Sequence, residues 1–243
     1  MFRLNAYCAG RSDAVRKDGA AFSTQEIFKQ IAAGNYVLQI NCRCFRSGDC
    51  IALAIQAVDV GEYPYAAVIC RDGEVISEGI NSVRQDRDVT HHAEIVAMKQ
   101  ALSSLNQVSL EDCTIYTNAE PCALCCYAMR ETHIGRVVFG VPAPLTGGLS
   151  RWNILADVEL SNTLPEVFAP PPEIVPGFMH EQVEAAMARR TPITWEFIRA
   201  RNIFGGPLPA HLLEKLPVKR KENFRELLMS FLRRQLFDYL GRK

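Results

Sequence analysis

The chain carries His92-Ala93-Glu94 and, twenty-seven residues after Glu94, Pro121-Cys122-Ala123-Leu124-Cys125. Each segment is predicted to begin a helix, the second with its proline in the first turn, where the missing N–H has no partner in any case. Two cysteines three residues apart in a first turn direct their sulfurs to the same side, and the free amides and dipole of that helix end favour thiolates. His92 adds a third, neutral donor from another helix start. The spacing therefore predicts a metal site.

The donor set is typical of zinc. His92, Cys122 and Cys125 are predicted as the ligands of a Zn²⁺ ion, and three ligands leave one tetrahedral position open, which distinguishes catalytic from structural zinc. Glu94 falls in the same first turn as His92. Its carboxylate can therefore lie beside the ion without binding it and move protons between an attacking water and a leaving group. A lone Cys-x-x-Cys or a lone His-x-Glu is more often structural, redox-active or incidental, and only their combination in this order favours catalysis.

Helices alternate with strands on both sides of these segments. The turn signal Asp72-Gly73 between two strand-like runs, 65–70 and 74–80, predicts a β-hairpin, and residues 81–90 are predicted to form a polar loop. From a helix that begins at Asp49, the predicted order is helix, strand, strand, helix, strand, helix, strand. This order implies an α/β fold in which helices cover the faces of a sheet, with strands that are separated by whole helices paired in parallel.

Composition limits the class of protein. The chain has 243 residues, 48% of them hydrophobic and 22% charged, with 27 basic and 27 acidic side chains. These values exclude disordered and fibrous chains, and a net charge of zero argues against a surface that attracts nucleic acid or anionic lipid everywhere. No run of about 18 apolar residues predicts a membrane span, and the first residues lack the apolar core of a signal peptide. Nine cysteines, an odd number, are typical of buried thiols or metal ligands, and we expect a cytoplasmic protein.

With these motifs the chain resembles the cytidine and deoxycytidylate deaminase superfamily, and within it the branch of tRNA-specific adenosine deaminases and bacterial guanine deaminases. The resemblance covers about residues 48–201. Besides the two zinc segments, it is carried by Pro64-Tyr65-Ala66-Ala67-Val68, Glu78-Gly79-Ile80-Asn81 and Gly135-Arg136-Val137-Val138-Phe139-Gly140.

The resemblance implies a fold and a reaction. The fold is a three-layer α/β/α sandwich on a five-stranded mixed sheet, in a homodimer whose sites lie near the subunit boundary. The reaction is the hydrolytic deamination of an amino-substituted nucleobase or nucleoside to its keto form, with release of ammonia. The resemblance also implies that Asn81 hydrogen-bonds the base. Otherwise Asn81 is an ordinary turn residue after a strand.

Three departures from the family pattern concern the substrate. Ala66 replaces a glycine that similar deaminases usually carry, residues 141–145 lack the aspartate of the tRNA-acting relatives, and no acid precedes Asp157 where guanine deaminases place a carboxylate. These departures favour a small nucleobase or nucleoside over tRNA. Trp152 is predicted to lie in the core. The alternative is that Trp152 or Arg151 stacks on or binds the ligand.

Two rival functions stay open at this point. One is a tRNA adenosine deaminase in which a basic tail steers RNA to the site, because residues 210–243 hold nine basic and four acidic side chains. The other is a dimeric, zinc-stabilised binding module without turnover. The predicted domain organisation is an N-terminal extension over 1–45, a zinc-dependent deaminase domain over 46–203, and an amphipathic helical tail over 204–243. We expect the apolar face of the tail to pack on its own domain or on a second subunit.

Overall fold

A computed structural model gives the structure of residues 49–190 and 192–206. The predicted extension over 1–45 and the tail beyond residue 206 lie outside the described residues, so the predicted domain boundaries stay predictions. Within the described part, no helix is both long and apolar enough to cross a bilayer. The strands are β1 (Ala66–Arg71), β2 (Glu74–Ile80), β3 (Cys113–Ala119), β4 (Arg136–Val141) and β5 (Glu173–Pro176). The helices are α1 (Asp49–Asp59), α2 (Val83–Asp86), α3 (Ala93–Leu105), α4 (Ala123–Glu131), α5 (Val158–Thr163), α6 (His180–Arg190) and α7 (Pro192–Ala200).

The five strands form one mixed sheet in the order β2-β1-β3-β4-β5. The predicted hairpin is confirmed: Asp72 and Gly73 both have positive φ, at 51° and 85°, as a tight turn between twisted strands requires. Strands β3, β4 and β5 pair in parallel. The expectation of parallel pairing is wrong for β3 and β1, which are antiparallel. The reason is that β1 lies between β2 and β3 in the sheet and, as the hairpin partner of β2, runs in the opposite direction to it. Strand β3 follows β2 through α3 and has the same direction as β2, so it is antiparallel to β1.

Helices cover both faces of the sheet, which confirms the three-layer arrangement. Alternate residues of β1 point to opposite sides, as in any pleated strand. Ala67 and Ile69 are fully buried against the side that carries α3 and α4. Val68 is buried against the other side, where Cys50 and Ala54 of α1 lie.

Three local details differ from the sequence-based expectations. The predicted loop 81–90 contains the single turn α2, which is held by a 2.5 Å hydrogen bond from the Ser82 hydroxyl to Asp86. Helix α5 was not predicted, and Asp157 caps it by accepting hydrogen bonds from two backbone N–H groups of its first turn. Helix α4 begins at Ala123, so that Cys122 is its N-cap and Pro121 lies outside the helix.

Candidate active site

The sheet brings three chain segments to one edge. Ala66, the first residue of β1, lies opposite Ile80, the last residue of β2, and Ala67 lies opposite Thr117 near the end of β3. The residues that follow β2 and β3 and those that precede β1 therefore leave the sheet side by side. Ligand sites of α/β proteins commonly form outside the carboxyl ends of strands.

Two helix starts face each other at this edge. His92 is the N-cap of α3 and Cys122 the N-cap of α4, and both have extended backbone conformations with ψ of 151° and 173°. Neither side chain caps its own helix. Both are therefore available to a ligand, together with Cys125 in the first turn of α4.

The three predicted ligands come together. His92 Nδ1 lies 3.4 Å from Cys122 Sγ and 3.4 Å from Cys125 Sγ, and the two sulfurs are 3.7 Å apart. A tetrahedral zinc ion with ordinary bond lengths requires about 3.5 Å between nitrogen and sulfur and about 3.8 Å between sulfurs. The donor atoms therefore already have the spacing of a zinc site. Among the described residues, this is the one group of three or more His, Cys, Asp or Glu side chains that could hold a metal ion.

The protonation of the two thiols is linked. The hydrogen bond between the sulfurs lowers the pKa of Cys122 to about 4 and, together with burial, raises that of Cys125. The hydrogen bond with Cys122 also raises the pKa of His92. Because ligands of zinc must be deprotonated, binding of the ion would displace the proton that the sulfurs share.

Glu94 lies beside the three donors. It is the second residue of α3 and is only 8% exposed. Burial raises the pKa of its carboxyl group, and the negative charge of Cys122 raises it further. The positive charge of His92 and a hydrogen bond with Cys125 act in the opposite direction. A carboxyl group that holds its proton more tightly than usual suits a residue that both accepts and donates protons near neutral pH.

Asn81 follows β2 at the same edge and is 3% exposed. Its backbone N–H donates to the Tyr65 carbonyl at 3.0 Å, and its side-chain Nδ2 donates to Glu62 at 3.0 Å. The described structure records no hydrogen bond from Asn81 to the three donor residues or to Glu94. Its contact with a base therefore remains a prediction.

The sequence pattern missed Glu120, a buried carboxylate directly before Pro121. Glu120 accepts hydrogen bonds from the backbone N–H groups of Ala143, Leu149 and Ser150, at 2.7, 3.1 and 2.7 Å. The Ser150 hydroxyl is a fourth donor. These bonds hold the loop after β4 against the start of α4. The only sequence signal was a carboxylate at the end of an apolar strand.

Tyr65 is a second residue that the pattern missed. It precedes β1 and is half-buried, and its ring centroid lies 5.7 Å from that of Phe204. Burial raises the pKa of the Tyr65 phenol, and the negative charge of Glu94 adds to this effect. The phenol therefore belongs to the surroundings of the candidate site.

Several neighbouring predictions have clear outcomes. Trp152 is 57% exposed, so its prediction as a core residue is wrong. The Arg151 guanidinium lies 5.4 Å from the centre of the Trp152 ring. Cys126 is a fully buried thiol, and its S–H donates to the Pro121 carbonyl at 3.4 Å. His91 lies in the loop before α3, and its Nδ1 is 2.7 Å from Asp86 Oδ2.

Comparison with known proteins relates this site to a family. A family model described as the cytidine and deoxycytidylate deaminase zinc-binding region matches residues 47–141. The chain is 40% identical over 110 residues to a tRNA-specific adenosine deaminase of Aquifex aeolicus, an alignment that covers 45% of this chain and 73% of the relative. It is 42% identical over 76 residues to a guanine deaminase of Bacillus subtilis, covering 31% of this chain and 49% of the relative.

Other relatives are much longer than the matching region. The chain is 41% identical over 112 residues to a tRNA(Ile)-lysidine synthase of Deinococcus radiodurans, which covers 45% of this chain but only 19% of that protein. One solved structure, from a study of A-to-I editing by tRNA:A34 deaminases, has a TM-score of 0.51 at 27% identity and covers 56% of this chain and 94% of the other. A guanine deaminase from Nitrosomonas europaea has a TM-score of 0.50 at 20% identity, and the match covers 72% of this chain and 97% of the other. At this identity the similarity supports the fold alone.

Proposed function

Because the chain belongs to the cytidine and deoxycytidylate deaminase family, we propose that it is a zinc-dependent hydrolase that deaminates a nucleobase or nucleoside. One observation carries the proposal. His92 Nδ1 and the sulfurs of Cys122 and Cys125 lie 3.4 to 3.7 Å from one another. The buried carboxyl group of Glu94 is beside them. This combination supports hydrolysis at a metal site rather than a structural zinc alone.

The proposed reaction exchanges an amino group for a keto oxygen. His92, Cys122 and Cys125 would hold the zinc ion, which, when bound, acts as a Lewis acid and lowers the pKa of water at its open position. Glu94 accepts one proton of the attacking water and gives it to the ring nitrogen beside the amino-bearing carbon. Glu94 then transfers the second water proton to the amino group, which leaves as ammonia while the new C–O bond becomes the keto group. Water and the amine are thereby converted into the keto product and ammonia.

We propose a small nucleobase or nucleoside as the substrate, with Asn81 as its hydrogen-bonding partner. The region after β4 offers no carboxylate to a ligand: Pro142 and Ala143 are buried, and the Ala143 N–H is already bound by Glu120. A tRNA adenosine is the second candidate. It is favoured by the similarity to a tRNA-specific adenosine deaminase, of which the alignment covers 73%.

Ammonia release separates these candidates. The zinc-loaded full chain is incubated with guanine, cytosine, adenine, their nucleosides, and a tRNA that has adenosine at the wobble position. Release from a small heterocycle supports the first proposal. Release from tRNA alone, with a rate that falls steeply as salt is raised, supports the second. No release from any of them, with zinc bound, would favour the binding module without turnover.

A homodimer is proposed as the functional form. Leu124 and Tyr127, three residues apart on α4, are 44% and 45% exposed. Large apolar side chains that neighbour one another on a helix surface are typical of a subunit interface. Light scattering is expected to give twice the mass of one chain, and L124K/Y127K is expected to give a single chain.

A cytoplasmic location is also proposed. Cys113 and Cys126, two cysteines outside the three proposed zinc ligands, are free thiols. Free thiols persist in a reducing compartment. Fractionation of cells that express the tagged full chain would test this location.

A further inference from the structure

Glu62 is a buried carboxylate that holds the segment after β2. It lies after the turn that ends α1 and is 5% exposed. One carboxylate oxygen, Oε2, accepts a 3.0 Å hydrogen bond from Asn81 Nδ2. The other, Oε1, accepts a 2.6 Å hydrogen bond from the backbone N–H of Gln85. Both oxygens therefore receive donors from the segment that leads to His92.

This contact determines which way the Asn81 amide points. An asparagine amide offers donors on one side and an acceptor on the other, and the two sides are exchanged by a half-turn of the group. A carboxylate can only accept, so Nδ2 must face Glu62 and Oδ1 must face away. No described residue donates to Oδ1. Within the described residues, Ser109 Oγ is the one side-chain polar atom that is both fully enclosed and without a partner. Asn81 Oδ1 also has no donor, so it is not fully enclosed and is open to solvent or a ligand.

Asn81 is fixed to the candidate site through its neighbours. Its own N–H donates to the Tyr65 carbonyl, and the N–H of Ser82 donates to the carbonyl of His91, both at 3.0 Å. His91 directly precedes the N-cap His92. The amide that Glu62 orients therefore lies on the backbone frame that also positions the metal-binding histidine.

We propose that Glu62 is a positioning residue that fixes the polarity of the Asn81 amide, so that Oδ1 accepts a hydrogen bond from an N–H or O–H group of the substrate. This inference rests on the proposed function, because it concerns the substrate of the same site. It restricts the substrate to rings or nucleosides that present a donor to Asn81. A ring that presents only an acceptor there would be disfavoured, because the mismatch leaves a buried polar group unpaired.

The isosteric variant E62Q tests this role. The backbone N–H of Gln85 is a fixed donor and will take the single carbonyl oxygen of the new side chain. The new NH₂ group then faces Asn81, whose amide must turn to offer Oδ1 to it and an N–H to the ligand. We expect kcat/KM for the best wild-type substrate to fall about 10- to 100-fold. We also expect the ranking of substrates to shift toward rings that present an acceptor.

The matched control is Q85A, which keeps the backbone N–H that Glu62 binds. It removes only the 3.1 Å hydrogen bond from the Gln85 side chain to the carbonyl of Val60, which lies in the same loop as Glu62. We expect Q85A to keep the wild-type substrate ranking. If E62Q lowered kcat/KM by the same factor for all substrates, or if Q85A changed the substrate ranking in the same way, the role of Glu62 would be merely structural and the proposal would be overturned.

A double-mutant cycle gives a second, independent readout. If Glu62 acts through Asn81, E62Q will cost little further activity in the N81A background, whereas independent effects would multiply. Equal fold losses of kcat/KM in both backgrounds would overturn the proposal. Failure of the proposed function looks different, because the wild-type protein itself would then release no ammonia from any substrate.

Discussion

The Glu120 carboxylate is joined twice to Ser150, by the backbone N–H at 2.7 Å and by the side-chain hydroxyl. Glu120 directly precedes Pro121, whose carbonyl accepts a 2.8 Å hydrogen bond from the N–H of Gly148. The loop after β4 and the start of α4 therefore form one hydrogen-bonded unit. Cys122 and Cys125, the proposed sulfur ligands, lie at the start of α4 within this unit.

Replacing Glu120 by glutamine should destabilise the protein. Four donors converge on the carboxylate, and an amide would turn an NH₂ group toward at least one of them. We expect E120Q to lower the free energy of unfolding by about 1–3 kcal/mol, measured by urea denaturation. The control is E131Q, at the exposed end of α4, which should unfold like the wild type. Equal stability of the wild type and E120Q would contradict this account.

The two adjacent cysteines of α4 should behave differently. Cys125 Sγ lies 3.4 Å from His92 Nδ1, whereas the Cys126 thiol points to the Pro121 carbonyl. We expect C125S to weaken zinc binding more than about 100-fold, because a serine hydroxyl replaces a thiolate ligand. C126S should retain one zinc ion per chain, because its hydroxyl can keep the bond to Pro121. Metal analysis after dialysis measures both, and zinc loss from C126S alone would refute the ligand assignment.

Gly79 allows β2 to approach the start of α3. A Cβ atom at this position would lie 2.3 Å from the Ala93 carbonyl oxygen and 2.8 Å from the Ala97 nitrogen. We expect G79A to reduce the free energy of unfolding by about 1–3 kcal/mol and also to weaken zinc binding, since α3 must shift with His92 at its N-cap.

The control for this change is G61A. Gly61 has a φ of 86° and no atom near the added methyl group, so the variant should lose about 1–2 kcal/mol through backbone strain. It should keep its zinc. If both variants lost zinc equally, the effect of G79A would be a general loss of stability rather than a shift of α3.

The cluster of His92, Cys122 and Cys125, which could hold a metal ion, was predictable from sequence because each half of it is local. His92 and Glu94 share one helix start, and Cys122 and Cys125 share another, so residue spacing indicates which side chains lie together within each start. The strand-like runs 65–70 and 74–80 and the Asp72-Gly73 turn between them likewise depend on neighbouring residues.

The supporting carboxylates could not be predicted because their partners are distant in sequence. Glu62 binds a residue nineteen positions away, and Glu120 binds residues 23 to 30 positions away. Such pairs depend on how the loops meet at the sheet edge, which no local pattern encodes. The burial of Trp152 was predicted wrongly for a related reason: the position of a single large side chain depends on the path of its loop and on any subunit beside it.

The most direct test of the central claim is ammonia release by zinc-loaded E94Q on the best wild-type substrate. We expect E94Q to bind one zinc ion per chain, because Glu94 is not a proposed ligand. We expect its turnover to be about 100- to 10,000-fold below that of the wild type, because the proton carrier is lost. Full ammonia release by E94Q would contradict the role of Glu94, and loss of its zinc would contradict the assignment of His92, Cys122 and Cys125 as the sole protein ligands.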